Sequence, residues 1–522
     1  MARSYSTGEV LLDVSAGRER SRQRPEPETP FRIALMGDFS GRASQRLCET
    51  GDKLASRRAQ LVDRDNFDEA MGKLGVRLVL PLGGGGQPDL VLDFSELEDF
   101  HPDRIFAIAA IFQKLRQMRD RVSNPQTFAQ VLADLGLGSA AARPAERAKP
   151  GAPPRVTSAD VEQLASGDLL AQAIEESQGP VATPRPSRTP DELRAFVERV
   201  VEPHLVAKAD PRQAELLGTL DRAASAQMRA LLHVPGFQAL ESAWRALFFL
   251  VRRVETDERL KLYLLDISKA ELATDLVGAK DLGSTGTYKL LVDQSVRTPG
   301  AEPWAVLTGN YTFEPTPQDA ELLGCLGKVA HAAGAPFIAA ASSRVLGCRS
   351  LAEAPHPRDW KPPADSEGGQ AWKALRRLPE ALYLGLVLPR FLLRLPYGKD
   401  TDPTELFDFE EMSQPPVHED YLWGNAAFAC TLLLAQAFGQ YGREMRPGAY
   451  AEIDGLPLHT YREDGESQVK PCAEVLCTED ALEQILEHGL MSLVSLKNRD
   501  AVRLVRFQSV SDPPRALAGR WG

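Results

Sequence analysis

FRIALMGDFSGR, Phe31 to Arg42, is the stretch on which the reading of this chain turns: an apolar run of strand formers stops at a glycine beside an acid. Two catalytic templates start in this way. A phosphate-binding loop spaces its glycines four residues apart and follows them with lysine and serine or threonine, so that backbone amides and an ammonium converge on phosphate. Here only Asp38, Phe39 and Ser40 separate Gly37 from Gly41, and Arg42 follows. A nucleophile elbow needs glycine two residues before and after its serine, and Ser40 has Asp38 and Arg42 there. The remaining reading is a tight exit from a core strand, the corner of a scaffold.

Upstream lies an arm from Met1 to Pro30. Its GEVLLDV, Gly8 to Val14, has strand-like content, and the arginine run GRERSRQR, Gly17 to Arg24, and then RPEPETP tether it to the rest. A short strand isolated by such a tether cannot pair its own backbone groups, so it is predicted to seek a sheet edge elsewhere.

Downstream, residues 31–138 read as a small α/β unit. DRDNFDEAMGKLG is a short helix, and VRLVL and DLVLDF flank LGGGGQP as a hairpin with Gly83 to Gly86 at its tip. In HPDRIFAIAAIFQKLRQMRDRV, the positions Ile105, Ile108, Ile111, Phe112 and Leu115 recur at helical spacing. Residues 139–188 are rich in Ala, Pro, Arg and Ser and read as a flexible linker. Within it, SGDLLAQAIEESQ carries Leu169, Leu170, Ala173 and Ile174 on one face, the pattern either of a docking peptide or of a helix packed on its own domain.

The larger unit, 189–510, opens on a capping box at Thr189, Pro190 and Glu192, with an apolar stripe through Leu193, Phe196, Val197, Val200 and Val201. A second helix runs through Leu216, Leu217, Leu220 and Met228. Beyond it KLYLLDIS, WAVLTGNYTF, APFIAAAS and ALYLGLVLP alternate with helical stretches, which predicts a sheet covered on both faces. AVRLVRFQSV, Ala501 to Val510, is strand-like, and residues 511–522 form a short polar tail. The fold class is α/β: a small α/β unit with a hairpin and a larger mixed α/β unit, joined by a linker.

Composition excludes several functions. With 43% hydrophobic and 25% charged residues the chain is an ordinary globular sequence, and 522 residues imply more than one core. The net charge of -11 opposes a role in coating nucleic acid. No apolar run reaches bilayer length, MARSYSTGEV lacks the apolar region of a signal peptide, and six scattered cysteines fit a reducing compartment, so a cytoplasmic protein is expected. Cys472 and Cys477, with His459 and His488 nearby, lack the second tight pair of a zinc site and read as core residues. No metal and no cofactor is expected. Glu410 and Glu411 of FDFEEM read as a solvated turn rather than a catalytic pair. Arg390 and Arg394, interleaved in LPRFLLRLPYG, require carboxylate or carbonyl partners.

The strings HVPGFQALESAWRALFFLV, LYLLDISKAEL, APFIAAASSRVLG, LGLVLPRFLLRLPYG, FDFEE and YLWGNAAFA resemble the large subunit of the type VI secretion contractile sheath, over about Thr189 to Val510. The order GEVLLDV, PFRIALMGDFSGR, VDRDNFDEAMGKLGVRLVL and LDFSELEDFHPDRI resembles the small subunit. The chain thus looks like a natural fusion of both. That resemblance implies a structural protein without catalysis, stacked helically with other sheath protomers around an inner tube protein, seated on a baseplate and recycled by a AAA+ disassembly ATPase. It implies an exchanged strand, with Val10, Leu12 and Val14 on one face and Leu11 and Asp13 on the other. It makes Leu169, Leu170 and Ile174 the contacts of an unfoldase-docking helix. Nucleic-acid binding and direct membrane insertion are not implied. Two departures stand out: large subunits usually continue well beyond the point where SDPPRALAGRWG follows Val510 here, and Asn310 of LTGNYTF stands where aspartate is common. The first keeps open an adaptor or cap of the apparatus that forms no tube; a soluble α/β enzyme is a third reading.

Overall fold

A computed structural model describes residues 29–81, 89–136 and 210–521. The strands, in chain order, are β1 (Phe31–Gly37), β2 (Gln60–Val62), β3 (Val76–Leu80), β4 (Leu90–Phe94), β5 (Leu260–Asp266), β6 (Trp304–Phe313), β7 (Phe337–Ala341) and β8 (Leu384–Leu388). They continue with β9 (Phe391–Leu392), β10 (Trp423–Gly424), β11 (Glu452–Ile453), β12 (Thr460–Glu463), β13 (Glu466–Val469), β14 (Met491–Ser495) and β15 (Val502–Leu504).

Nine of them form one sheet in the order β11-β15-β14-β8-β7-β6-β1-β5-β2. Its parallel run extends from β5 through β1, β6, β7 and β8 to β14, while β2, β15 and β11 add antiparallel margins. Parallel strands need long crossovers, and here helices supply them on both faces, which is why KLYLLDIS, APFIAAAS and ALYLGLVLP are apolar throughout rather than alternating. Side chains of β1 divide by parity: Phe31, Ile33 and Leu35 enter one core, Ala34 and Met36 the other.

The placement of β1 is the central feature. Segmentation by composition puts Phe31 to Gly37 in the small unit, yet in the sheet this strand lies between β5 and β6 of the large one, paired along its whole length with Leu260–Asp266. Without β1, two neighbouring strands of the larger unit would face each other across a gap of about 10 Å, with their inner rows of N–H and C=O groups unpaired.

Hairpin β3–β4 forms as the sequence predicts, in antiparallel register from Val76↔Phe94 to Leu80↔Leu90. It packs on the helix Pro235–Val251, where Phe94 and Phe100 meet Phe237 with ring centroids 6.1 and 5.8 Å apart. The tip Gly83 to Gly86 lies outside the described residues, as do the capping box at Thr189 and the stripe Leu193 to Val201. The helix Pro211–Leu232 is present, and a second one, Ala426–Tyr441, is apolar all round and buried along nearly its whole length.

Two expectations are corrected. The helical pattern from Ile105 to Leu115 is broken, because Ala109 is extended (ψ 133°) between the helices Pro102–Ile108 and Gln113–Ser123. The break brings Phe106 and Phe112 together in the core and leaves Ile108 58% exposed; the Arg116 guanidinium donates to the freed carbonyls of Phe106 and Ala109. The polar tail packs on the larger unit. Leu517 is buried against Gly385 and Met491, Ala518 N–H donates to Leu382 O at 2.9 Å, and Arg520 donates to Ala333 O at 2.7 Å. Of Ala501 to Val510, only Val502–Leu504 is strand.

Candidate functional site

For a scaffold the site is whatever locks its parts and offers edges to a neighbour. The corner after β1 is such a lock. The carboxylate of Asp266, at the end of β5, accepts from Phe39 N–H (2.8 Å), Ser40 N–H (3.0 Å) and Ser40 Oγ (2.6 Å), and Trp244 Nε1 donates to Phe39 O at 2.8 Å. Ser40 is thus a donor to a structural carboxylate. Gly41 turns with φ +79°, and a Cβ there would fall on the Arg77 carbonyl oxygen, so at this point hairpin and corner meet backbone to backbone.

Behind the corner Glu271 is fully buried and receives two arginines from the N-terminal part. Arg42 Nε donates at 3.0 Å and Arg57 at 2.5 Å, while Glu49 N–H and Ser268 N–H add bonds of 3.0 and 2.9 Å. Burial would push this carboxyl up, but the two guanidiniums and these amides hold it at about 2. The same carboxylate closes the capping box of the helix Lys269–Leu276, so one side chain fixes a helix start and the junction between the two parts.

A second buried cluster occupies the other face. Arg394 lies between Glu241 (2.7 Å) and Glu411 (2.7 Å), Arg245 Nε donates to Glu241 at 2.6 Å and its terminal nitrogen to Tyr397 OH at 2.8 Å, so the two cations and two anions balance. Glu411 is therefore not in a solvated turn: it is buried, and although desolvation opposes its charge, Arg394 and His233 hold it at about 2. Arg390 likewise finds Glu474 at 2.8 Å and Glu419 at 3.2 Å. The demand for partners was legible in the sequence; their identity was not, because Glu241 and Glu474 lie far along the chain.

The margins differ in kind. β11 is two residues long and β2 three, and each has one side without a strand partner among the described residues. Beside β11 opens a cleft of about 560 Å³ lined by Arg253, Gln436 and residues 449–454. The hairpin β12–β13 stands out from the body, exposed along most of its length. The exchange-strand residues Val10, Leu11, Leu12, Asp13 and Val14 and the docking-helix residues Leu169, Leu170 and Ile174 lie outside the described residues. Cys472 is buried, with Sγ 3.4 Å from Pro457 O. Among the described residues no three His, Cys, Asp or Glu side chains come together as metal ligands, and no helix is long and apolar enough to cross a membrane.

A sheet completed by a strand from a different part of the chain, with buried ion pairs at the junction, defines a two-part α/β scaffold. The chain belongs to the type VI secretion tail sheath family: residues 214–511, more than half of its length, match the model described as "EvpB/VC_A0108, tail sheath N-terminal domain". Residues 14–133 match a second model, "Type VI secretion system, VipA, VC_A0107 or Hcp2", so small-subunit-like and large-subunit-like parts occur in one chain. Among characterised relatives, the type VI secretion system sheath protein TssC1 of Pseudomonas aeruginosa PAO1 is 35% identical over 331 residues, covering 62% of this chain and 66% of that protein. Strand β1 lies in the VipA-like match and its neighbours β5 and β6 in the VipB-like one, so the seam described above runs between the two.

Proposed function

We propose that this chain is a ready-joined protomer of a type VI contractile sheath: it stacks with other copies around an inner tube protein, on a baseplate, and contraction of the stack drives the tube outward. It works in the cytoplasm without catalysis, cofactor, nucleic acid or membrane insertion. The observation that carries this is the seam, since a strand of the VipA-like part inserted between two strands of the VipB-like part makes one stiff body able to transmit force. Neighbouring bodies are linked through Val10 to Val14, whose main-chain groups find partners on the sheet margin of another copy.

Electron microscopy of the purified chain tests both statements. Long tubules or rings are expected, and a chain lacking Met1 to Val14 should remain folded but fail to form them. Persistent monodisperse particles of the intact chain overturn the sheath reading in favour of an adaptor or cap. After contraction, Leu169, Leu170 and Ile174 present an apolar face to a AAA+ ATPase; Leu169→Asp should weaken pull-down of that ATPase with the melting temperature unchanged, and equal capture removes the helix from the proposal.

A further inference from the structure

The arginine run Gly17 to Arg24 has no task in the reading so far, and one crevice has a carboxylate with no cation beside it among the described residues. Outside the carboxyl ends of β1, β5 and β6 lies a cleft of about 450 Å³ with Leu78, Ala239 and Leu240 as its apolar wall and Asp38, Asn310 and Thr312 on its polar side. This is where the strand order reverses, since β5 and β6, consecutive members of the sheet, lie on opposite sides of β1; open parallel sheets bind ligands at such points.

Asp38 differs from the other acids of the corner. Glu271 and Asp266 both have Arg42 beside them, and Arg42 also reaches Glu49. Lys269, on the rim, is engaged by Asp319 at 2.7 Å and by Thr312 O. Asp38 faces only backbone amides of its own turn, Arg42 N–H at 2.6 Å, Ala43 N–H at 2.8 Å and, more weakly, Gly41 N–H, and has no ion pair among the described residues. Two carboxylate oxygens offer about four acceptor positions, so lone pairs remain for the cleft. Its burial and the neighbouring Asp266 raise its pKa, as expected for a carboxylate lacking a cation.

We infer that this crevice binds a guanidinium with an aliphatic stem, and that its occupant is the arginine run Gly17 to Arg24 of a second copy of this chain. The stem suits the wall of Leu78, Ala239 and Leu240, and the planar head suits Asp38 and the side-chain carbonyl of Asn310. Reach works against the same copy, most strongly for Arg24. The arm leaves at Thr29, whose carbonyl is held by Arg443 at the opposite end of β1. From there Arg24 has a tether of roughly 17 Å when fully extended, whereas β1 alone spans about 20 Å. Arg22, Arg20 and Arg18 have longer tethers, roughly 24, 31 and 37 Å, but all start from the far end of the sheet, a constraint that the run of a second copy does not share.

The test is photo-crosslinking of the full chain with p-benzoylphenylalanine in place of Ala239, an exposed position on the wall of the cleft. Heavy- and light-isotope copies are mixed and the joined peptides read by mass spectrometry. Expected are heavy–light links from position 239 to peptides within Gly17 to Arg24, falling about tenfold or more when Asp38 becomes Asn, as loss of a charged hydrogen bond predicts. Because Asp38 also caps the turn, a second variant carries Arg18, Arg20, Arg22 and Arg24 all changed to Gln; these lie outside the described fold, and the same fall is expected. Links confined to one copy, links that avoid residues 17–24, or links undiminished in the arginine variant overturn the contact. The contact rests on self-association but not on tubes: a preparation that forms tubules without these links overturns the contact alone, and links without tubules sink the sheath reading alone.

Discussion

The seam around β1 and the margin around β11 belong to the same sheet and are built oppositely. At the seam a seven-residue strand is paired on both sides, its apolar side chains are buried, and the charges behind it are desolvated and matched. At the margin a two-residue strand pairs on one side, and its cross-strand ion pair, Arg503 with Glu452, is half in water. The contrast separates a junction closed by burial from an edge left open to water. The seam is sealed by burial and pairing on both sides, whereas the margin leaves one row of backbone groups without a strand partner among the described residues.

The sharpest way to break the contrast is to put a charge into β1. Leu35→Asp buries an uncompensated carboxylate in the core on one face of the sheet at a cost of several kcal/mol, comparable to the whole stability of a domain, and should give no soluble chain. Leu35→Ala, which leaves a cavity, should cost about 2–5 kcal/mol in denaturant unfolding and still fold. A soluble Leu35→Asp protein with a native circular dichroism spectrum would show that the larger unit does not depend on the inserted strand.

Next in size is the ionic lock. Glu271→Gln leaves Arg42 and Arg57 facing a neutral amide and should destabilise by about 3 kcal/mol. The lock also sets a pH response. The folded-state value of Glu271, about 2, lies below its ordinary 4.5, so its contribution is full above about pH 4.5 and lost as pH falls towards 2. Melting temperatures between pH 5 and 2 should drop steeply in the natural sequence and less steeply in Glu271→Gln; the slope does not vanish, because Glu411 and Glu474 are held at about 2 as well. Parallel curves for the two proteins would remove Glu271 from the lock.

The smallest effect is expected at the margin. Arg503→Ala removes an exposed pair in which water already competes, and its melting curve should overlay that of the parent. A drop as large as that of Glu271→Gln would mean that the two regions differ less than their burial indicates.

Much of this was written locally. Continuous apolar runs fixed the strand identities because both faces of the sheet are covered, and the pair VRLVL and DLVLDF formed its hairpin in a regular register. The gap of helical spacing at Ala109 was not readable, since Ile108 fits the pattern and only the packing of Phe106 on Phe112 and Phe407 draws the chain off its helical course. Glu411 reads as solvated because adjacent acids usually are; nothing near FDFEE reports that Arg394 and His233 converge there.

The sequence by itself determined the α/β class, the tight corner at Gly37 to Gly41 and the kinship with both sheath subunits, since each rests on residues adjacent along the chain. Only the tertiary structure decided that the strand leading into that corner completes the larger unit's sheet, that Glu271 serves helix and seam together, and that the tail packs against β8. Strand order and ion pairing are set by which surfaces meet after more than two hundred intervening residues, and periodicity, a local property, carries no record of that meeting.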